Sequence, residues 1–148
     1  MIITIGKLNI KLRKANWKDY NYCYNIFKIN MKSYIEKHWS WEPAKYRSYF
    51  NPSQVKILEY NNKRFGFYQT SIENGDYHLK EIHISDKFKG KGIGSKLLDI
   101  IHSEAKQGGY KKVLLQVFKD NPAKRLYTRL GYRITKDEEI FTLMEKKL

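Results

Sequence analysis

The stretch KFKGKGIGSKLL (residues 87–98) places three glycines at alternate positions immediately before an apolar run. Glycine has no Cβ, so Gly90, Gly92 and Gly94 can adopt backbone conformations that other residues avoid. Apolar residues at helical spacing follow, which predicts a helix that runs to about Lys106. The first N–H groups of a helix lack intrahelical partners and lie at the positive end of its dipole. The stretch therefore predicts a turn into a helix that can bind an anion.

Lysines at positions 87, 89, 91 and 96 add positive charge to the same turn. With backbone donors at a helix terminus, they favour a phosphate-bearing ligand, in particular a pyrophosphate. Two common glycine motifs do not fit. The nucleotide-triphosphate loop requires a lysine directly after its last glycine, and the dinucleotide fingerprint requires a glycine where this chain has Ser95. The alternative, a flexible strand-to-helix connection, accounts for one or two glycines but not for their strict alternation.

A second motif, NPAKRLYTRLGY (residues 121–132), is typical of a short helix with defined ends. Asn121 is a suitable N-cap, Pro122 fits the first helical position and Gly131 lies just past the end. Tyr127 falls on the apolar face, so one interpretation is a core tyrosine whose hydroxyl is hydrogen-bonded. The apolar face consists of Ala123, Leu126, Tyr127 and Leu130.

Together with the alternating strand that ends at Ile84, these two motifs resemble the GCN5-related N-acetyltransferase (GNAT) family over nearly the whole chain. The family's phosphate loop, [Gln/Arg]-x-x-Gly-x-[Gly/Ala], maps onto residues 89–94. Lys89 departs from this pattern, because it keeps the charge of arginine but not its planar fork. Residues 121–132 are similar to the family's asparagine, tyrosine and glycine motif. Two motifs at this separation are far more specific than either alone.

The resemblance implies an acetyl-CoA-dependent N-acetyltransferase that uses no metal. A primary amine of a small molecule, peptide or protein attacks the thioester directly, without a covalent acyl-enzyme. Backbone N–H groups at the end of the strand that closes at Ile84 stabilise the oxyanion, and Tyr127 is the general acid for the CoA sulfur. Asn121 binds the pantetheine. The implied cofactor-binding residues are Ile82, His83, Ile84, Lys89, Gly90, Lys91, Gly92, Ile93, Gly94, Ser95, Asn121, Ala123 and Tyr127.

The general base is assigned from the strand Tyr77–Ile84. Side chains alternate along a strand, so Glu81 and His83 are neighbours on one face and can relay a proton. Many family members carry a glutamate on the following strand, where this chain has Gln116, which cannot act as a base. We therefore assign the base to Glu81 and interpret His83 as a polar residue near the strand end. The alternative role for Glu81 is a simple ion pair with a lysine.

Aromatic residues are concentrated in HWSWEPAKYRSYF (residues 38–50). In the family that the chain resembles, the corresponding segment forms a wall of the acceptor site. Trp39 and Trp41 lie in the irregular part of this segment. We predict that they contact an apolar or ring-bearing amine, with core packing as the alternative. Glu36 and Glu42 are the only acidic residues nearby, which disfavours a polycationic acceptor.

The composition indicates one basic domain over residues 1–148. The net charge of +14 is spread as +8 over 1–74 and +6 over 75–148, so no separate nucleic-acid-binding region stands out. A nucleic-acid- or ribosome-binding module and a CoA-binding sensor without catalysis are the alternatives to an enzyme. Cys23, the single cysteine, falls on an apolar helix face. The sequence shows no signal peptide and no apolar run of roughly 20 residues, so we expect a cytoplasmic protein. We expect a monomer or homodimer whose partners are acetyl-CoA and an amine, and neither a membrane nor nucleic acid.

The elements predict an α/β protein: a GNAT-like single domain whose mixed sheet has about seven strands, mostly antiparallel with one parallel pair, and about four helices on both faces. Asn74-Gly75 marks a hairpin, and Gly108-Gly109 ends the helix of the glycine stretch. The predicted strands are Leu8–Arg13, Gln54–Tyr60, Arg64–Ile72, Tyr77–Ile84, Val113–Phe118, Tyr132–Thr135 and Glu139–Glu145. The predicted helices follow Asn16 to about Tyr34, begin near Pro43, follow the glycines to about Lys106, and run from Pro122 to about Leu130.

Overall fold

A computed structural model describes residues 1–148 and shows one mixed β-sheet with four α-helices. The strands are β1 (Ile2–Ile5), β2 (Leu8–Lys14), β3 (Val55–Tyr60), β4 (Lys63–Glu73), β5 (Asp76–Ile84), β6 (Lys112–Phe118), β7 (Arg133–Asp137) and β8 (Phe141–Lys147). The helices are α1 (Tyr20–Glu36), α2 (Pro43–Tyr49), α3 (Ile93–Gln107) and α4 (Ala123–Arg129). The strand order in the sheet is β1-β2-β3-β4-β5-β6-β8-β7. No helix combines the length and the apolarity needed to cross a bilayer.

The predicted mixed sheet, its parallel pair and the four helices are confirmed. β5 and β6 run parallel, whereas β8 is antiparallel to both β6 and β7. The sheet has one strand more than expected, because Ile2–Ile5 pairs with β2 through a turn at Gly6, where φ is 59°. A strand of four residues is too short to show a clear alternation of polar and apolar residues, although Ile3 is buried opposite Ile10.

Two compact units lie within the chain, and β4 and β5 each contribute residues to both. The first unit comprises Met1–Gln69 and Glu81–Lys91; a single domain over 1–148 stays a prediction. As predicted, Cys23 lies in its core. Burial raises the pKa of the Cys23 thiol to about 12, so this cysteine packs as an apolar residue. The buried core cluster consists of Cys23, Ile26, Tyr46, Phe50, Val55, Ile57 and Phe67.

A buried carboxylate fixes the start of α1 in the first unit. Asp19 is 2% exposed, and its oxygens accept hydrogen bonds from Arg13 at 2.8 and 2.9 Å and from Arg64 at 3.2 Å. The backbone N–H of Asn16 also donates to Asp19, and the Asn16 side chain accepts from the Lys18 N–H. The predicted N-cap at Asn16 therefore closes a short helical turn, Trp17–Asp19, that precedes α1. Burial alone would raise the pKa of Asp19, but the hydrogen bonds from Arg13 and Asn16 outweigh it and hold this pKa below its ordinary value.

We expect Asp19→Asn to destabilise the protein by about 2 kcal/mol at pH 7, because the variant removes the charged hydrogen bonds from Arg13 and Arg64. The variant leaves Arg13 with Glu59 as its carboxylate partner. A depressed carboxylate pKa gives stability that is present above the ordinary value of 3.8 and lost as the pH falls through the lower folded-state value. Chemical denaturation should therefore show a constant difference from about pH 5 to 8 that shrinks below about pH 4. The exposed acid Asp99 supplies the control, Asp99→Asn. A difference that is undiminished at pH 3 contradicts this role for Asp19.

The second unit comprises Thr70–Lys80 and Gly92–Leu148. Nε2 of the buried His102 lies 2.7 Å from the hydroxyl oxygen of the buried Tyr132. Burial and the charge of Lys146 lower the pKa of His102 to about 4, so the pair is an uncharged hydrogen bond near neutral pH. α3 ends before Gly108-Gly109, as predicted. Its buried residues are Ile93, Leu97, Leu98, Ile101, His102 and Ala105.

Candidate active site

The glycine loop connects β5 to α3 through a short helical turn, Asp86–Phe88. Gly90 and Gly92 have φ angles of 76° and 81°, in the left-handed region that residues with a Cβ rarely adopt. No heavy atom lies within 4 Å of the position that a Cβ would take at either residue. The loop therefore needs glycine for its conformation, and it faces open space at both positions.

The N-terminus of α3 presents backbone donors at the end of this loop. Gly92 is the N-cap and provides no side-chain hydrogen bond. The first intrahelical bond runs from the Lys96 N–H to the Gly92 carbonyl at 3.2 Å, so the N–H groups of Ile93, Gly94 and Ser95 have no intrahelical acceptor. Three donors at the positive end of a 15-residue helix favour an anion.

Lys89 differs from the other loop lysines in having a carboxylate partner. Its Nζ lies 2.8 Å from Oδ1 of Asp86, and this hydrogen bond lowers the pKa of Asp86. The other three, Lys87, Lys91 and Lys96, are exposed and form no salt bridge. The charge that the family pattern places at position 89 is thus partly compensated, and the uncompensated lysines of the loop lie at positions 87, 91 and 96.

Phe88 anchors the first part of the loop, a role that the sequence did not reveal. Its ring stacks on Phe65 with centroids 4.2 Å apart and lies 5.8 Å from the ring of Tyr60. The backbone N–H of Ser85 donates to the carbonyl of Phe65 at 2.8 Å. An apolar residue between two lysines in an otherwise polar turn is the signal that could have identified this anchor.

Glu81 and His83 lie side by side near the end of β5, as the alternation predicts. Nε2 of His83 is 2.6 Å from Oε2 of Glu81. His83 is only 5% exposed, and its Nδ1 lies 3.1 Å from Nδ2 of Asn30 on α1. Asn30 is not among the predicted site residues, although it follows Cys23 and Phe27 at helical spacing and is a polar residue on an apolar helix face.

Aromatic rings enclose the imidazole of His83. Phe67 lies 5.2 Å from it, and Phe27 meets it edge-on at 5.8 Å. Tyr46 stacks on Phe27 at 4.5 Å, and Trp41 lies 5.9 Å from the same ring. Trp41 is thus linked through the ring of Phe27 to His83 and its hydrogen-bond partner Glu81.

Trp39 and Trp41, which are predicted to contact the acceptor amine, have different surroundings. Trp41 is half-buried, and its indole N–H donates to the hydroxyl of Tyr24 at 3.2 Å. Trp39 is 44% exposed and has its ring contact with His38, 5.6 Å away. The structure places Trp41 among the rings beside His83, while Trp39 lies on the surface.

The hydroxyl of Tyr46 is buried and has no hydrogen-bond partner. Burial is the main cause that raises its pKa, and the nearby charges, including that of Glu81, act in the same direction. A buried phenol without a partner carries a desolvation cost. This hydroxyl is therefore an unsatisfied donor and acceptor among the aromatic rings.

The end of β5 packs closely against β4 at Gly66. A Cβ at Gly66 would overlap the carbonyl oxygen of His83 and crowd Ile84, so only glycine allows this approach. The parallel pairing with β6 covers Tyr77–Leu79. The resemblance assigns the oxyanion-binding N–H groups to Ile82, His83 and Ile84. These three residues lie beyond the part of β5 that pairs with β6.

The second unit contains the asparagine and tyrosine of the α4 motif. Oδ1 of Asn121 accepts a hydrogen bond from the backbone N–H of Ala123 at 2.9 Å, which leaves the side-chain NH₂ unpaired. Tyr127 is 8% exposed, and its ring meets that of Tyr132 in a T-shaped contact at 5.6 Å. The C-terminal end of α4 is capped by Lys146, whose Nζ donates to the Leu130 carbonyl at 2.8 Å.

A basic cavity of about 650 Å³ opens beside Asn121 in the same unit. Four cationic side chains and one acidic side chain line it, so it favours anions. The chain forms no cluster of three or more His, Cys, Asp or Glu that could hold a metal ion. The charged residues of the cavity are Lys119, Asp120, Lys124, Arg125 and Arg129.

Solved structures share this fold. The PaiA N-acetyltransferase of Thermoplasma acidophilum, solved in complex with coenzyme A, matches with a TM-score of 0.77 at 18% identity and covers 94% of this chain and 99% of that one. Ard1 of Thermoplasma volcanium matches with a TM-score of 0.76 at 19% identity and covers 94% of this chain and 97% of that one.

Sequence comparison gives the family. The spermine/spermidine N(1)-acetyltransferase of Bacillus subtilis (strain 168) is 32% identical over 115 residues, which cover 70% of this chain and 74% of that protein. The model of the acetyltransferase (GNAT) family matches residues 15–132, which include both the glycine loop and the α4 motif. The chain therefore belongs to the acetyltransferase (GNAT) family and is an acyltransferase.

Proposed function

We propose that this enzyme transfers the acetyl group of acetyl-CoA to a primary amine, which attacks the thioester directly. The observation that carries the proposal is the Glu81 carboxylate, which has one oxygen hydrogen-bonded to the buried His83 and the other without a partner. The side chain of Glu81 is 25% exposed, so an amine can reach the second oxygen. Bound acetyl-CoA would supply the activated carbonyl and a thiolate leaving group.

The residues of the glycine loop fit the phosphates of acetyl-CoA. The unpaired N–H groups of Ile93, Gly94 and Ser95 would hold the pyrophosphate, with Lys91 and Lys96 contributing charge. Two glycines in the left-handed region leave open space where side chains would otherwise project. The basic cavity beside Asn121 also favours an anionic ligand, and acetyl-CoA carries several phosphate charges.

Three groups of the chain would then serve the reaction. An ammonium with a pKa near ~10.4 must lose a proton before it can attack, and Glu81 would take that proton. Backbone N–H groups of residues 82–84 would stabilise the developing negative charge. The hydroxyl of Tyr127 would protonate the departing sulfur, and the unpaired NH₂ of Asn121 would bind the pantetheine.

We infer that the acceptor is an amine on an apolar or ring-bearing body that contacts the rings of Trp41 and Phe27. The Bacillus subtilis relative is named for spermine and spermidine, so polyamines belong in any test panel. Glu36 and Glu42, the acids nearest the tryptophans in sequence, form ion pairs with Lys32 and Lys45. That leaves little negative charge in this segment to attract a polycation.

Thermal unfolding with acetyl-CoA tests the binding part of the proposal. At 100 times its Kd, a ligand stabilises a protein by about 2.7 kcal/mol, so the Tm should rise by roughly 5–10 °C. Release of free thiol in the presence of an amine panel that includes spermidine tests the transfer. No Tm shift at millimolar acetyl-CoA would refute the proposal, and a shift without turnover of any amine would support a non-catalytic CoA sensor instead.

Gly92→Ala is expected to weaken acetyl-CoA binding at least about tenfold, because alanine disfavours the left-handed cap that positions the donors of α3. Gly75 provides a matched control, since its φ of 79° and its open surroundings equal those of Gly92. Both alanine variants should lose about 1 kcal/mol of stability. At an acetyl-CoA concentration of 100 times the wild-type Kd, only Gly92→Ala should show a Tm shift reduced to about half of the wild-type shift or less. Equal shifts in the two variants would remove the loop from the binding site.

A further inference from the structure

Both ring nitrogens of His83 are engaged by side chains of the first unit. Nε2 faces the Glu81 carboxylate at 2.6 Å, and Nδ1 faces the amide nitrogen of Asn30 at 3.1 Å. Phe27 and Phe67 pack around the imidazole, which is 5% exposed. With so little exposure, these two neighbours decide where the imidazole carries its proton.

Asn30 and Glu81 together determine that position, because the ionised Glu81 carboxylate accepts hydrogen bonds and does not donate them. An amide nitrogen donates hydrogen bonds and does not accept them. Nδ1 of His83 must therefore be the acceptor, which means that it carries no proton. In the neutral imidazole the proton then lies on Nε2 and is donated to Oε2 of Glu81.

We propose that Asn30 is a positioning residue that holds His83 as the neutral Nε2–H tautomer, directed at Glu81. Resting on the proposed function, this makes Glu81 the base: the proton of the acceptor ammonium moves to the second oxygen of Glu81, and from there to solvent. His83 keeps its own proton throughout and fixes the orientation of the carboxylate. Asn30 acts only through His83 and does not touch the reacting atoms.

Nitrogen-15 spectra of the labelled protein, without any substrate, test the tautomer directly. Long-range proton–nitrogen correlations distinguish a protonated ring nitrogen from a bare one, and histidine-to-glutamine variants assign the four histidines. We expect wild-type His83 to be protonated on Nε2 and bare on Nδ1 at pH 7. A proton on Nδ1 of the wild type overturns the proposal, whatever the variants do.

Substitutions of Asn30 test its control over His83. Asn30→Asp replaces the donor with an acceptor, so Nδ1 should become protonated, while Nε2 keeps its proton opposite the Glu81 carboxylate. Asn30→Ala should lower kcat roughly tenfold, the effect of losing one neutral hydrogen bond, with KM for acetyl-CoA unchanged. Asn25→Ala, at an exposed position of the same helix, is the control and should change neither. An Nδ1 of His83 that stays bare in Asn30→Asp refutes the positioning role.

The spectra separate this inference from the proposed function. If no amine is acetylated, yet His83 is Nε2–H in the wild type and gains an Nδ1 proton in Asn30→Asp, the tautomer assignment is supported and the transferase proposal fails. If amines are acetylated and His83 carries its proton on Nδ1, the transferase proposal stands and the role of Asn30 is refuted.

Discussion

Glu81→Gln is expected to lower kcat by about two to three orders of magnitude, the range of general-base catalysis. The substitution keeps the size of the side chain and removes its capacity to take a proton. A primary amine with a pKa near ~10.4 is then reactive only in the small fraction that is already neutral, about one molecule in 10³ at pH 7.4. The residual rate of the variant should rise about tenfold for each pH unit below that pKa.

Steady-state kinetics over a range of pH measure this effect. Glu139→Gln is the matched control, because Glu139 is exposed and has no ion-pair partner. The Kd for acetyl-CoA, obtained from thermal shifts, should be the same in both variants and in the wild type. A Glu81→Gln enzyme with wild-type kcat at pH 7.4 would exclude Glu81 as the base.

Tyr127→Phe is expected to lower kcat about ten- to a hundredfold, less than the loss of Glu81. A thiol has a pKa near ~8.5, so a thiolate is a tolerable leaving group even without a proton donor, whereas a protonated amine cannot attack at all. Removal of the hydroxyl leaves the aromatic ring, and with it the T-shaped contact with Tyr132. The Kd for acetyl-CoA should change by less than about twofold.

Tyr110→Phe serves as the comparison for Tyr127→Phe, because Tyr110 is a half-buried tyrosine of the same unit that packs on Tyr77. Unfolding curves of both variants show whether either loses stability. A loss of kcat at unchanged stability supports the proton-donor role of Tyr127. Undiminished turnover from pH 6 to 9 would leave Tyr127 as a core residue, the alternative that its position on the apolar face of α4 favours.

Local signals predicted most of the fold. The alternation that ends at Ile84, the Asn74-Gly75 turn and the three glycines each constrain only a few neighbouring residues, and together they define the order of strands and helices. Asn74 and Gly75 indeed have positive φ angles, 53° and 79°. The last hairpin turns later than predicted, because the N–H of Glu138 bonds to the carbonyl of Phe141.

The surroundings of the candidate site could not be predicted in the same way, because they depend on contacts between residues distant in sequence. Asn30 and His83 are 53 positions apart, and no periodicity within either element indicates that they meet. The ion pair of Lys89 with Asp86 is local, yet the family pattern gives no reason to expect it. The unpartnered hydroxyl of Tyr46 results from packing of this residue against the rings of Tyr20, Tyr24, Phe27 and Phe50 and has no signal in the sequence.

The most direct test of the central claim combines acetyl-CoA labelled in its acetyl group with an amine panel and follows the label by mass spectrometry. We predict that one labelled amide forms for each thiol released, and that the protein itself gains no acetyl group when the amine is omitted. A protein that binds acetyl-CoA but yields no labelled amide with any amine, or one that accumulates a covalent acetyl adduct as an intermediate, would contradict direct transfer to an amine.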